Sequence, residues 1–190
     1  MKISDFIHMN LYANYNCLFN SVAQIIMIEK ECRKYLINYK NKYCHINSVC
    51  FNNKRNKLGN KLRKSTFTWL KNNLDTNVNK LNKTIRQLIE RKTNFNSESD
   101  YFKSKERDYA TQLELIGLVY HLNRNIIIFD KKERFKIKNL GFKISRKNIN
   151  KDIYLYHMTG TNNENYFWPL FPKIKATKLL NDSKIKTKKK

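Results

Sequence analysis

The sequence predicts an α+β protein in which a small sheet packs against helices. Amphipathic helical patterns extend to residue 123, and short β-branched and aromatic runs follow them. Helices first and strands last favour an α+β fold over an alternating doubly wound fold. The 190 residues are 41% hydrophobic with only 4 Gly and 2 Pro, so they can form a packed domain and are neither collagen-like nor generically disordered.

The first predicted helix begins at Cys17. One apolar face of residues 18–28 recurs at helical spacing, formed by Leu18, Val22, Ile25 and Ile26. Asn14 and Asn16 precede this helix, and an Asn side chain can accept a hydrogen bond from a first-turn N–H. Residues 29–60 predict a continuation of the helix and then a loop that ends at Gly59.

The remaining elements are predicted from the same two periodicities. Helical spacing covers residues 61–74, 78–91 and 111–122, with a short amphipathic segment after the polar stretch 93–100. Asn123 ends the third of these helices. Four strands are predicted around residues 125–130, 135–137, 152–156 and 165–170.

Lys and Arg total 39 against 15 Asp and Glu, a net charge of +24. The excess is mostly Lys, and Asn is also very common, a combination that AT-rich coding produces without selection for nucleic acid. A nucleic-acid partner is therefore not favoured. We predict one domain over residues 1–172 and a basic, disordered tail over residues 173–190, for which nuclear targeting or binding to an acidic surface is the alternative role.

The sequence also predicts where the protein resides. No run approaches the roughly 18 apolar residues that a membrane span requires, and the N-terminal segment lacks the pattern of a signal peptide. We expect an intracellular protein, cytoplasmic or nuclear, with no membrane partner. The AT-rich signature is compatible with a parasite, an endosymbiont or a large DNA virus, and hence with expression in or delivery into a host cell.

The four cysteines, Cys17, Cys32, Cys44 and Cys50, are predicted to be thiols. Cys44, His45 and Cys50 lie close together, but their spacing matches no paired zinc-binding pattern. We therefore predict neither a metal nor another cofactor.

A cysteine that opens a buried helix is the strongest functional feature of the sequence. Unpaired N–H groups and the positive end of the helix dipole lower a thiol pKa and favour the nucleophilic thiolate. The same N–H groups could hold the oxyanion of an acyl-transfer intermediate. The alternative is that Cys17 is a small, inert core residue.

Four segments in order resemble the ovarian-tumour (OTU) family of cysteine deubiquitinases. NYNCLFNSVA (14–23) is similar to the family's nucleophile segment, D-G-x-C-L-F-x-x-[AV], and LRKSTFTWLKNN (62–73) to its next helix. DYATQLELIGLVYHLNRNIIIFD (108–130) resembles a helix and strand of the family, and DIYLYHMTGTNNENYFWPL (152–170) its closing hairpin. The resemblance implies a papain-related cysteine protease fold, Cys17 as nucleophile, and ubiquitin or a ubiquitin-like modifier as partner.

The departures from the family pattern concern catalysis. Asn165 stands where the resemblance implies a histidine base, and Phe167 stands where its polar partner is usual. Asparagine cannot accept and return a proton near neutral pH. The oxyanion loop would be Asn14, Tyr15 and Asn16, and Tyr15 replaces a glycine whose turn a tyrosine adopts only at a cost.

His157 is a candidate substitute base. It ends a predicted strand on the same alternate face as Ile153 and Leu155, and the following loop could bring it beside Asn165. A structural role is its alternative. His121 at a helix end favours a surface role, and His8 and His45 lie outside the matching segments.

Three functional hypotheses follow. The first is an OTU-like ubiquitin-interacting domain that is catalytically impaired or inactive because Asn165 replaces the base. The second is an active cysteine deubiquitinase that uses Cys17 with His157 or another base. The third is a basic module that binds nucleic acid by stacking bases on aromatic strands beside lysines.

Overall fold

The computed structural model describes residues 3–9, 14–31, 49–78, 81–92, 95, 97–105, 108–129, 134–137, 152–160 and 165–173. Its helices are α1 (Cys17–Glu31), α2 (Val49–Asn72), α3 (Ile85–Glu90), α4 (Glu98–Ser104) and α5 (Gln112–Leu122). Its strands are β1 (Phe6–His8), β2 (Asn77–Val78), β3 (Lys83–Thr84), β4 (Ile126–Phe129), β5 (Arg134–Ile137), β6 (Ile153–Thr159) and β7 (Asn165–Pro172). These elements confirm the predicted α+β class, with a small sheet packed against helices.

Five strands form one sheet in the order β1-β7-β6-β4-β5. β4 and β6 are parallel, and the other neighbouring pairs are antiparallel. Alternate residues of β4 serve opposite faces of the sheet: Ile126 and Ile128 join the main core with α1, α2 and α5, whereas Ile127 and Phe129 pack with Phe6 and Leu170 on the other face. The period of two that predicted the strands therefore also divides the core.

The start of α1 at Cys17 is confirmed. The predicted loop that ends at Gly59 is wrong, because α2 runs through this glycine from Val49 to Asn72. A Cβ atom on Gly59 would lie 2.1 Å from Asn20 Oδ1. The glycine therefore permits close approach of α1 and α2, which is a tertiary reason that local sequence does not express.

The helix predicted over residues 78–91 is wrong in its first half. A two-stranded ribbon of β2 and β3 precedes α3, and Asn82 adopts a left-handed φ of 48° in its turn. Asn tolerates this conformation better than most residues. Helix α3 then begins after a capping box formed by Thr84 and Gln87, which ends the ribbon.

The prediction also lacked β1, which pairs with β7 at the sheet edge. α5 was predicted accurately, and Asn123 ends it with a left-handed φ of 50°. None of the helices in the described part of the chain is long and apolar enough to cross a membrane. The predicted tail falls outside the described residues from position 174 onward, so its disorder and its boundary stay predictions.

Candidate active site

Cys17 lies at the junction of α1 and the closing strand β7. Its Sγ donates to the carbonyl oxygen of Asn165 at 3.4 Å and accepts the N–H of Phe167 at 3.4 Å. One turn later, the Ser21 hydroxyl donates to the carbonyl oxygen of Phe167 at 2.6 Å. These hydrogen bonds join the helix to the strand. Cys17 is only 1% exposed, because both elements cover it.

The turn before Cys17 uses its own N–H groups. The Asn14 side chain accepts a hydrogen bond from the Asn16 N–H at 3.0 Å, and the Asn14 carbonyl accepts one from the Cys17 N–H at 3.0 Å. The Asn14 side chain thus closes the turn before α1 rather than bonding an N–H of the helix, which begins at Cys17, so the predicted side-chain cap takes the form of a turn. These two N–H groups are consequently engaged within the turn and are not free for an oxyanion in this conformation.

Tyr15 does not adopt the strained, glycine-type backbone conformation expected for it. Among the non-glycine residues that the structure describes, only Asn82 and Asn123 have a positive φ. Tyr15 therefore occupies ordinary backbone space, because this turn takes a conformation that needs no glycine. Its side chain is 41% exposed, whereas Cys17, two residues later, is buried.

The expectation of a depressed thiol pKa is wrong for this conformation. Burial raises the pKa of Cys17 above its ordinary value. The N–H groups of Phe167, Leu18 and Cys17 and the positive charge of Arg63 lower it, but by less. The N–H groups at the helix terminus lower the thiol pKa, as predicted, but the loss of hydration on burial raises it by more.

His157 and Asn165 contact each other across the β6–β7 hairpin. The strand register pairs His157 with Phe167 and Thr159 with Asn165, so all four side chains belong to one face of the sheet. His157 Nε2 lies 2.9 Å from Asn165 Oδ1. Because an amide oxygen only accepts hydrogen bonds, His157 Nε2 is the donor of this contact. The structure therefore brings Cys17 to the Asn165 backbone and His157 to the Asn165 side chain.

Among the residues that the structure describes, no histidine is hydrogen-bonded to the thiol. Both of its hydrogen bonds are to the backbone of β7, at Asn165 and Phe167. The His157 ring instead lies against the Phe167 ring, with 5.1 Å between centroids. Thiol and imidazole are thus neighbours of the same two residues without contact between their polar atoms.

Sequence reasoning missed Arg63, which holds the Tyr15 turn in place. Its guanidinium donates to the carbonyl oxygens of Tyr15 at 3.1 Å, of Asp108 at 2.8 Å, and of Lys105. It also lies over the Tyr15 ring, 5.3 Å from its centroid. A signal was available, because Arg63 lies four residues before Phe67 and seven before Leu70, which places a cation on the apolar face of the helix.

The other candidate residues lie apart from this junction. His121 is exposed near the end of α5, and the His8 ring lies 6.1 Å from that of Tyr156 on β6. The side chains of Cys32, Cys44, His45 and Cys50 fall outside the description. Within the described ranges, no group of three or more His, Cys, Asp and Glu residues has the arrangement of a metal site.

No protein-family model matches this chain, and no curated protein sequence matches it. Among solved structures, the chain is similar to the structure of the Hazara virus OTU bound to ubiquitin. That similarity has a TM-score of 0.44 and 17% identity, and it covers 90% of this chain and 84% of the other. A likeness at this level does not define a family.

Proposed function

We propose that this chain is an OTU-like domain that interacts with ubiquitin or a ubiquitin-like modifier and is catalytically impaired. The observation that carries the proposal is the environment of the Cys17 thiol, which is 1% exposed and bonded to the β7 backbone at the position where the resemblance implies a histidine. A protonated, covered thiol without a base is a poor nucleophile.

The proposal of a ubiquitin partner rests on the four sequence segments. Two of them, the Cys17 segment and the closing hairpin, meet in space at the Cys17–Asn165 contact. The third segment reaches the same hairpin, since the rings of Tyr109 and Tyr166 lie edge to face with centroids 5.4 Å apart. Segments that match one family in order and that also assemble around one junction support a shared architecture.

An active cysteine deubiquitinase is the alternative, and one contact favours it. A histidine and an asparagine are both present at the hairpin and are hydrogen-bonded to each other at 2.9 Å. An asparagine bonded to one imidazole nitrogen can orient the ring so that the other nitrogen serves as base. Activity by this route requires His157 to turn toward Cys17 and the thiol to leave its contacts with β7.

Two measurements on the full chain test the proposal. The first is titration of isotope-labelled ubiquitin, for which we expect chemical-shift changes that saturate. The second is incubation with a ubiquitin probe that carries a C-terminal electrophile, for which we expect slow labelling or none. Cys17→Ser is the matched control, because any labelling that survives this substitution is not at the nucleophile position.

The outcomes separate the hypotheses. Binding without rapid labelling supports the impaired domain. Rapid labelling that Cys17→Ser abolishes supports the active enzyme, and His157→Ala then tests whether His157 is the base. Absence of both ubiquitin binding and labelling contradicts a ubiquitin partner in both OTU hypotheses and favours the nucleic-acid module.

A further inference from the structure

A cleft lies beside the Tyr15 turn, on the exposed side of α2. It has a volume of about 590 Å³ and reaches from the turn to α4, and its described lining consists of Tyr15, Asn60, Arg63, Lys64, Phe67, Thr68, Lys71 and Phe102. Ligand pockets commonly measure roughly 300 to 1,000 Å³. The cleft therefore suits one small organic molecule.

The described lining is cationic and contains no carboxylate. Lys64 and Lys71 are seven residues apart on α2, and both are exposed on the same face of that helix. No described carboxylate pairs with either of them. Arg63 is 6% exposed at the cleft, and among the described residues its hydrogen-bond partners are backbone carbonyls and its Nε has none. Three cations around one concave surface focus a positive potential that attracts an anion.

Arg63 remains a charge despite its burial. Desolvation lowers its pKa, and the carboxylates of Glu114 and Asp108 act against that effect at longer range. An arginine is protonated near neutral pH in either case. Because carbonyls take up its outer N–H groups, Arg63 acts on a ligand through its field, and the direct phosphate donors would be Lys64 and Lys71.

The same cleft presents aromatic surface. Tyr15 is the large apolar side chain that is exposed among the described residues, and the Arg63 guanidinium lies under its ring. Phe67 and Phe102 meet edge to face deeper in the cleft, with Lys71 Nζ 5.2 Å from the Phe102 centroid. A planar ring can stack on an exposed tyrosine, as nucleic-acid bases stack on aromatic side chains.

We propose that this cleft binds a nucleoside phosphate, with the phosphates at Lys64 and Lys71 and the base against Tyr15. The inference is independent of ubiquitin binding. It has a consequence for the neighbouring thiol, since Arg63 donates to the Tyr15 carbonyl and Tyr15 lies two residues before Cys17. A ligand on this surface would hold the turn that precedes Cys17.

The test is calorimetric titration of the full chain with ATP, with adenosine and inorganic triphosphate as separate probes of ring and charge. We expect ATP to bind more tightly than either part. The double variant Lys64→Gln with Lys71→Gln should weaken ATP binding at least about tenfold, because it removes two charge-assisted contacts. Tyr15→Ala should weaken ATP but not triphosphate.

The matched control is Lys57→Gln with Lys61→Gln, two exposed lysines of the same helix that do not line the cleft. Retained binding in this control supports the site. Equal loss in both double variants would mean general attraction to a basic surface and would overturn the proposal. So would triphosphate that binds as well as ATP, an acidic peptide that displaces ATP, or no ATP binding at millimolar concentration.

A single-stranded oligonucleotide distinguishes a free nucleotide from the same chemistry within a polymer. We expect a mononucleotide to compete with it at the cleft, and the Lys64 and Lys71 variant to weaken both. An oligonucleotide that binds without being displaced by ATP binds elsewhere on the surface, and the cleft is then a site for the free nucleotide.

Discussion

The turn of residues 14–16 separates two surfaces of opposite character. On one side, Cys17 is sealed against β7 by backbone hydrogen bonds and core packing. On the other side, Tyr15 is exposed at a cationic cleft of about 590 Å³. Arg63 connects the two sides, because it bonds the Tyr15 carbonyl and lies among the rings of Tyr15 and Phe19. The Cys17 thiol, which the sequence resemblance predicts to be reactive, is therefore buried, whereas the cleft at Tyr15, to which the resemblance gives no role, is open to solvent.

The largest expected effect comes from removing the hydrogen bonds by which Arg63 connects the Tyr15 turn to the core. Arg63→Lys removes the planar guanidinium that reaches three carbonyls, and a lysine cannot reproduce that fork. We expect a loss of about 2 to 4 kcal/mol in the free energy of unfolding, measured by urea denaturation. Arg55→Lys is the control, since the hydrogen bonds of this buried arginine to described residues go to its neighbour Asn56. Equal losses in both variants would mean that Arg63 has no special role in the turn.

The next prediction concerns the sealed side. Asn165→His places an imidazole on the residue whose backbone contacts Cys17 Sγ. Since a base raises the thiolate fraction and protonates the leaving amine, we expect cleavage of a fluorogenic ubiquitin substrate to rise at least about tenfold. Asn165→Gln keeps the amide and should give no increase.

The Asn165→His result also discriminates between mechanisms. If wild type already cleaves well, if His157→Ala abolishes that cleavage, and if Asn165→His adds nothing, the impaired reading is wrong and His157 is the base. If neither form cleaves, adding Tyr15→Gly tests whether the altered turn prevents oxyanion binding.

A smaller effect is expected from loosening the seal. Ser21→Ala removes the 2.6 Å hydrogen bond to the Phe167 carbonyl between α1 and β7. We expect a loss of about 1 kcal/mol in stability and faster alkylation of Cys17 by iodoacetamide, followed by mass spectrometry of the labelled peptide. Ser65→Ala is the control, because that hydroxyl bonds Leu62 within α2. An unchanged alkylation rate at Cys17 would show that this contact does not limit access to the thiol.

The smallest effect is a pH displacement at Cys17. Burial raises the pKa of the folded thiol, so the folded chain holds this proton more tightly than the unfolded chain. The resulting stability is present below the unfolded pKa of about 8.5 and is lost as the pH rises through the folded value. Alkylation of Cys17 should therefore reach half its maximal rate at a higher pH in the native chain than in urea. A lower native midpoint would indicate an activated thiolate and contradict the sealed description.

Local sequence determined the elements whose signals are short-range. Apolar spacing predicts where α1 begins, the Asn14 side chain closes the turn just before it, and the Thr111–Glu114 capping box and left-handed Asn123 delimit α5. The alternation that placed His157 on the face of Ile153 and Leu155 also holds, because a strand keeps its period of two wherever it pairs. That Asn165 stands at the family's histidine position, and what this means for catalysis, stay predictions from the sequence resemblance.

Tertiary structure decided what depends on distant partners. Helix α2 needs a glycine at position 59 because Asn20 of α1 approaches it, and β1 is a strand because β7, more than 150 residues later, offers an edge. The Cys17 pKa rises because β7 and the core exclude water, an effect that outweighs the local helix terminus. The local sequence determines hydrogen bonds and periodicity within a few residues. Burial depends on every segment that packs around a group, so it arises only when the chain has folded.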